Sequence, residues 1–304
     1  MEGSGGTEVF NLRRLGACVS LDEAATAICY PRPWSGECRE VLRELVDAGV
    51  ECYIDYGECM AGRLRMIGRG WAANVFLARL GRRLVVVKAL RPDSRRRSVA
   101  WEAAAWTAAW WLGAAPEPVY AGLRILVVEP VLGGSIDGYR PRRPWELLYL
   151  LSRLLWKAYM LDRAGLIHSE LARPHDHVLL STDKPPDPFL VDFESARLRR
   201  GRRSNLTQLV GGLLGLPCIL GWLPREGRER LRSLLRRYRL GLIGVEVLWE
   251  VVGVVEHYLQ GLGDGLCGAE EEGGRAGEEV GVQQQGGGGD DGCEPGRRHK
   301  VHEG

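Results

Sequence analysis

Lysine is almost missing from this 304-residue chain: Lys88, Lys157, Lys184 and Lys300 stand alone among 41 basic residues, the rest arginine. Apolar runs of the roughly 18 residues that a membrane helix needs are missing too. The best stretches, 147–161 and 245–255, are broken by charge. The opening Met1-Glu2-Gly3-Ser4-Gly5 lacks the basic and apolar regions of a secretory leader. These absences exclude a spanning helix and set the expectation of a cytoplasmic protein without a membrane partner. The eight cysteines form no Cys-x-x-Cys pair, which excludes a zinc ribbon. In a chain of this length they are expected as buried thiols rather than a disulfide framework. Cys52 and Cys59 could nonetheless pair in a thermophilic protein.

What is present is unevenly charged. Residues 263–304 hold ten acidic and four basic residues, whereas the rest of the chain is basic. That acidic segment is rich in glycine, glutamate and glutamine and is expected to be disordered. The domain expectation is a loose, weakly structured N-terminal extension over 1–34, a sheet-bearing unit with its preceding helix over 35–132, a helical unit over 133–262 and the tail over 263–304. Ser35 is placed to cap a helix over 36–48. Strand-like runs follow at 51–56, 64–67, 73–79 and 84–90, with a turn at Gly81. Helical spacing returns at 98–112 and 145–164. Short strands are expected at 125–129, 178–180 and 189–191, and an arginine-rich helix at 225–239. Strands first and helices second read as an α+β fold, with a ligand cleft between the two parts.

The chemistry-bearing residues lie at the joints of that pattern. Lys88 ends the apolar run Leu84-Val85-Val86-Val87, where an unpaired charge is costly. A compact ammonium there, in a chain that otherwise uses arginine, suits phosphate oxygens. Upstream, Gly68-x-Gly70-x-x-Ala73-x-Val75 is a glycine turn leading into a strand, of the kind whose N–H groups approach phosphates. Glu102, on the following helix, is placed to pair with Lys88. Further on come His168-Ser169-Glu170-Leu171-Ala172-Arg173-Pro174-His175-Asp176-His177 and Val191-Asp192-Phe193-Glu194-Ser195-Ala196. An aspartate at the end of an apolar strand, facing a His/Glu loop, is a common way to build a metal–phosphate site.

Together these motifs resemble the protein-kinase fold, and most closely the small archaeal atypical Ser/Thr protein kinases related to the RIO-type family. The likeness spans about residues 35–262. It implies a bilobal fold with a small antiparallel-sheet N-lobe and a reduced helical C-lobe. It also implies an ATP-dependent phosphotransferase, a Ser/Thr protein kinase able to phosphorylate itself, with Mg²⁺ or Mn²⁺ as cofactor. By the resemblance, Gly68, Gly70 and Val75 lie over the nucleotide and Lys88 contacts its phosphates. Glu102 orients Lys88, and the segment holding Glu129 and Val131 is the hinge for adenine. Asp192 ligates the metal, and Glu170 is the catalytic carboxylate.

The sequence departs from that pattern in three places. Glu170 stands where most kinases have aspartate. The metal-binding asparagine is replaced by a histidine: counting from Glu170 gives His175, and aligning on the strand 178–180 gives His177, the preferred choice. Imidazole is a poor Mg²⁺ ligand and suits softer ions, so good tolerance of Mn²⁺ is expected. Glu194 replaces the usual glycine, and no Ala-Pro-Glu segment follows. His168 is expected to be a core residue bonded to backbone near Asp192 rather than part of a three-histidine zinc cluster. Two other functions fit the same residues: a kinase of a small hydroxyl compound, or a catalytically weak nucleotide-binding module that contacts RNA through the clusters at 95–97, 199–203 and 225–239.

Overall fold

The computed structural model describes residues 15–260; the tail expected at 263–304 lies outside them. The first part of the chain runs β1 (Cys18–Val19), α1 (Ala25–Ile28), α2 (Gly36–Asp47), β2 (Val50–Ile54), β3 (Cys59–Ala61), β4 (Leu64–Met66), β5 (Gly68–Arg69), β6 (Ala73–Leu80) and β7 (Arg83–Leu90). Next come α3 (Ala100–Trp111), β8 (Pro118–Ala121), β9 (Ile125–Val128), α4 (Pro144–Ala164), β10 (Leu166–Ile167), α5 (Pro174–His177), β11 (Val178–Leu180), β12 (Pro188–Leu190) and β13 (Arg197–Leu198). The chain closes with α6 (Asn205–Leu213), α7 (Arg225–Arg239) and α8 (Glu246–Leu259).

This is an α+β protein whose strands pair antiparallel. The main sheet has the order β1-β2-β6-β7-β9-β8, with β5 also on β6. Its central strand, β7, alternates cleanly. Val85, Val87 and Ala89 are buried on one face, in a core with α1, α2, Phe76 and Tyr53. Leu84, Val86 and Lys88 share the other face. Each fully buried valine on that strand contributes about 1.5–3 kcal/mol. Ser35 caps α2 by accepting from the Cys38 N–H at 3.1 Å.

The helical part is organised by α4, which packs against α6 and α8. Pro144 opens α4, where its missing N–H costs nothing, and Gly165 closes it in the left-handed conformation at φ 72°. Leu147, Leu150, Leu151, Leu154, Leu155, Ala158 and Leu161 form the buried stripe of this helix. No helix among the described residues is long and apolar enough to cross a membrane.

Two expectations are corrected here. Residues 15–34 are not a loose extension. β1 pairs with β2, and Ala24, Ala27 and Ile28 are fully buried. Asn74 on β6, itself buried, anchors this segment by donating to the carbonyls of Ile28 and Tyr30 at 3.1 and 2.9 Å. The cysteines are not thiols either. Cys18 bridges to Cys52 and Cys29 to Cys38, with Cα separations of 5.6 and 5.5 Å, and no described cysteine is free. Cys52 therefore pairs with Cys18 rather than Cys59. The pairing follows from strand register, since Cys18 and Cys52 sit on adjacent strands, and sequence spacing carries no trace of that.

Candidate functional site

Lys88 lies on β7 between two neighbours, opposite Val75 of β6 and Leu126 of β9. It is thus an interior-strand lysine, unable to reach water by leaning off an edge. Its ammonium is met by three carboxylates instead. Glu102 Oε1 and Asp192 Oδ1 each lie 2.7 Å away, and Glu194 Oε2 lies 3.3 Å away. Glu102 comes from the first turn of α3 and is 3% exposed. Arg96, just before α3, pairs with Glu194 at 3.1 Å and also donates to its carbonyl. Two cations thus share a cluster of carboxylates drawn from both parts of the chain.

Electrostatics follow from this packing. Burial pushes the Lys88 ammonium towards its neutral form, but Glu102, Asp192 and Glu194 outweigh that and raise its pKa. Burial pushes the Glu102 carboxyl up, and its pKa stays raised despite Lys88. Burial also pushes Asp192 up, but the charge and hydrogen bond of Lys88 prevail and hold it below the ordinary carboxylate range. Lys88 is a charged group at working pH, held in one place by partners from α3 and from the turn at 192–194.

The loop after β10 brings up the second half of the site. Glu170 Oε2 lies 3.5 Å from His177 Nε2, and one ligand atom each from Glu170, His177 and Asp192 fall within 4.8 Å of one another. His177 ends α5 and is 4% exposed, and neither ring nitrogen has a hydrogen-bond partner. Burial lowers its pKa, so the ring is neutral. His175 points elsewhere: it is partly exposed beside Asp176 at 3.3 Å. No three-histidine cluster forms, because the Nε2 of His168 is engaged by the Val191 carbonyl at 2.9 Å.

Strain collects in the same place. Among the described residues, the non-glycine positions with positive φ are Ser169 at 76° and Asp192 at 65°. One precedes Glu170 and the other carries the carboxylate bound to Lys88. Such backbone costs about 1–3 kcal/mol per residue and persists only where its surroundings impose it. One such imposition comes from below. Asp162, buried in α4, accepts from the N–H groups of Ser204, Asn205 and Leu206 and from the Tyr238 hydroxyl. Asn205 Oδ1 in turn accepts from the His168 N–H at 2.9 Å, so the start of α6 and the loop before Glu170 hang from one carboxylate. The fit is close, since a Cβ on Gly212 of α6 would come within 2.5 Å of the Ala172 carbonyl and Pro174.

The remaining expected residues lie apart from this cluster. Gly68 and Gly70 shape the β5–β6 hairpin, with the Gly70 N–H on the Ala73 carbonyl at 2.8 Å. Through β6, Val75 is the cross-strand partner of Lys88. Glu129 and Val131 line a cavity of about 500 Å³ with Trp110, Arg153, Asp187 and Phe189. Lys88, Glu102, Glu170, His177 and Asp192 are not among its lining residues. Sequence reading missed Arg96, Asp162 and the role of Asn205. Of these, Asp162 left a faint signal, as an acid next to Leu161 of the buried stripe in a helix that also carries Glu146, Arg153, Lys157 and Arg163. No family model matches the chain, and no curated protein matches it.

Proposed function

We propose that this protein is an ATP-dependent phosphotransferase of bilobal protein-kinase-like architecture, acting on a protein hydroxyl, its own included. One observation carries the reading: a lysine on an interior strand, held by Glu102 and Asp192 at 2.7 Å each. A buried ammonium so fixed offers a preorganised point charge for phosphate oxygens. Glu102, paired on one side, keeps the ammonium from swinging when an anion arrives. Glu170, next to a strained Ser169, is the group to accept the proton of an acceptor hydroxyl. Asp192 and His177 would hold Mg²⁺ or Mn²⁺, which neutralises charge on a transferring phosphoryl group. In this reading, adenine is bound by backbone of the segment that holds Glu129 and Val131, under the hairpin of Gly68 and Gly70.

A second acceptor class is favoured by one observation. Only residues 193–204 separate Asp192 from α6, with a single short 3₁₀ turn and β13 between them. So short a connection offers little surface on which to dock a peptide, which suits a small hydroxyl compound. RNA is the third partner considered. Arg203 donates to the carbonyls of Tyr238 and Ile243, which sets the exposed arginines at 199–202 beside the basic end of α7.

Labelled ATP tests the reading. Transfer to protein, lost in Lys88→Ala and in Asp192→Ala, is the expected result. Transfer only when a hydroxyl compound is added would move the acceptor to the small-molecule class. Lys88→Ala with undiminished nucleotide affinity and transfer would overturn the proposal.

A further inference from the structure

The geometry points to Glu170, His177 and Asp192 as a three-ligand centre that binds a first-row transition-metal ion in the absence of nucleotide. This deepens the proposed phosphotransferase reading by naming the ion class of its site and giving Glu170 a second role. The ordinary expectation for a phosphotransferase is different. Mg²⁺ arrives with the phosphates, is held by one or two carboxylates and keeps several waters.

Three observations separate this site from that expectation. The first is the donor set, one imidazole and two carboxylates. Carboxylate suits magnesium and manganese alike, but imidazole suits zinc, iron, copper and nickel, so His177 is the donor that tips the set towards a transition metal. The second is the state of His177. A ring that is 4% exposed with no hydrogen bond at either nitrogen leaves buried polar atoms unsatisfied. Such a group normally costs about 1–3 kcal/mol. Its Nε2 faces Glu170 at 3.5 Å, too long for a hydrogen bond and suited to two ligands flanking one ion. The third is spacing. Donors each about 2.1 Å from a zinc-sized ion lie about 3–4 Å from one another. Ligand atoms already within 4.8 Å reach that arrangement by small side-chain rotations. The anchors are rigid, because His177 sits at the junction of α5 and β11 while Asp192 is pinned by Lys88. Asp192 spends Oδ1 on that pairing and keeps its second oxygen for the ion.

An ion held by one oxygen of Glu170 draws charge from the carboxylate and weakens the other oxygen as a base, so metal at all three ligands opposes the role of Glu170 as proton acceptor.

The test uses the full chain, stripped with a chelator and titrated with Co²⁺ without nucleotide, with visible absorption as the readout. The expected result is one Co²⁺ per chain with a ligand-field band that survives excess Mg²⁺. His177→Asn, Glu170→Gln and Asp192→Asn should each weaken binding at least about tenfold, a loss that even an outer partner of a metal ligand produces. A cooperative thermal transition in each metal-free variant shows that it is folded, and Co²⁺ should raise the midpoint of the wild type more than that of His177→Asn. No band without nucleotide, or equal affinity in all four proteins, overturns the inference. Because ATP is absent, this outcome is independent of whether Lys88→Ala loses phosphotransfer.

Discussion

A single lysine governs the site, and its company shows how a charge is kept inside a sheet. Lys88 offsets its lost hydration with three carboxylates, one of them almost fully buried. Removing the ammonium strands Glu102, and breaking such a buried pair costs about 3–5 kcal/mol. Lys88→Ala is therefore expected to destabilise the protein as well as disable it. Lys88→Arg separates the two effects. It keeps the charge but replaces a point donor with a planar fork. It should retain a native circular dichroism spectrum and, on the proposed reading, lower phosphotransfer by about 10²–10³-fold, the loss typical of one misplaced electrostatic contact. Lys88, Glu102, Glu170, His177 and Asp192 were legible in the sequence, because each breaks an apolar run or sits in a dense polar loop. Glu194 was legible as a residue but not in its role. Its pairing with Lys88 and Arg96 depends on the backbone turn at Asp192, and no spacing rule reveals a turn with φ 65°.

Among the elements, α4 carries the clearest energetic argument. Lys157 projects from it into a buried position, donates to the Pro188 carbonyl and pairs with Asp187 at 2.8 Å. Arg153, one turn earlier, also pairs with Asp187 at 2.8 Å. Burial lowers the Lys157 pKa, and only Asp187 resists that. Asp187→Ala should therefore cost about 3–5 kcal/mol by denaturant unfolding, whereas Lys157→Met should be close to neutral. The pH dependence has a definite sign. Burial pushes the Asp187 carboxyl up, but Arg153 and Lys157 together hold it below its ordinary value. On acidification the unfolded chain takes up this proton first. The stabilisation is thus present above about pH 4 and is lost as pH falls through the depressed folded value. Thermal midpoints measured down that range should fall less steeply in Asp187→Asn than in the wild type. Helix α2 was legible from its Ser35 cap and Gly49 stop, α4 from its apolar stripe and Gly165 stop, and α7 from its arginine-rich composition. Strands β3 and β8 were not, being short and lacking alternation.

For the whole molecule, the N-terminal segment and its bridges were the least legible part. β1 is two residues long, and its place is set by partners more than thirty residues away. Cys18–Cys52 closes a 34-residue separation and Cys29–Cys38 one of nine. Chain entropy assigns them about 4 and 3 kcal/mol. Reductant is therefore expected to lower the thermal midpoint, and the Cys18→Ser variant should lose part of that sensitivity and Cys29→Ser a smaller part. The carboxylate cluster has a consequence on this scale as well. Glu102, Asp192 and Glu194 meet Lys88 and Arg96, while Glu170, beside His177, pairs with Arg173, so four carboxylates meet three fixed cations. This excess of negative charge, on the proposed reading, repels an approaching polyphosphate, and a divalent ion would make the site attractive. On the proposed reading, the protein imposes an order of arrival: cation before, or together with, nucleotide, and never after it.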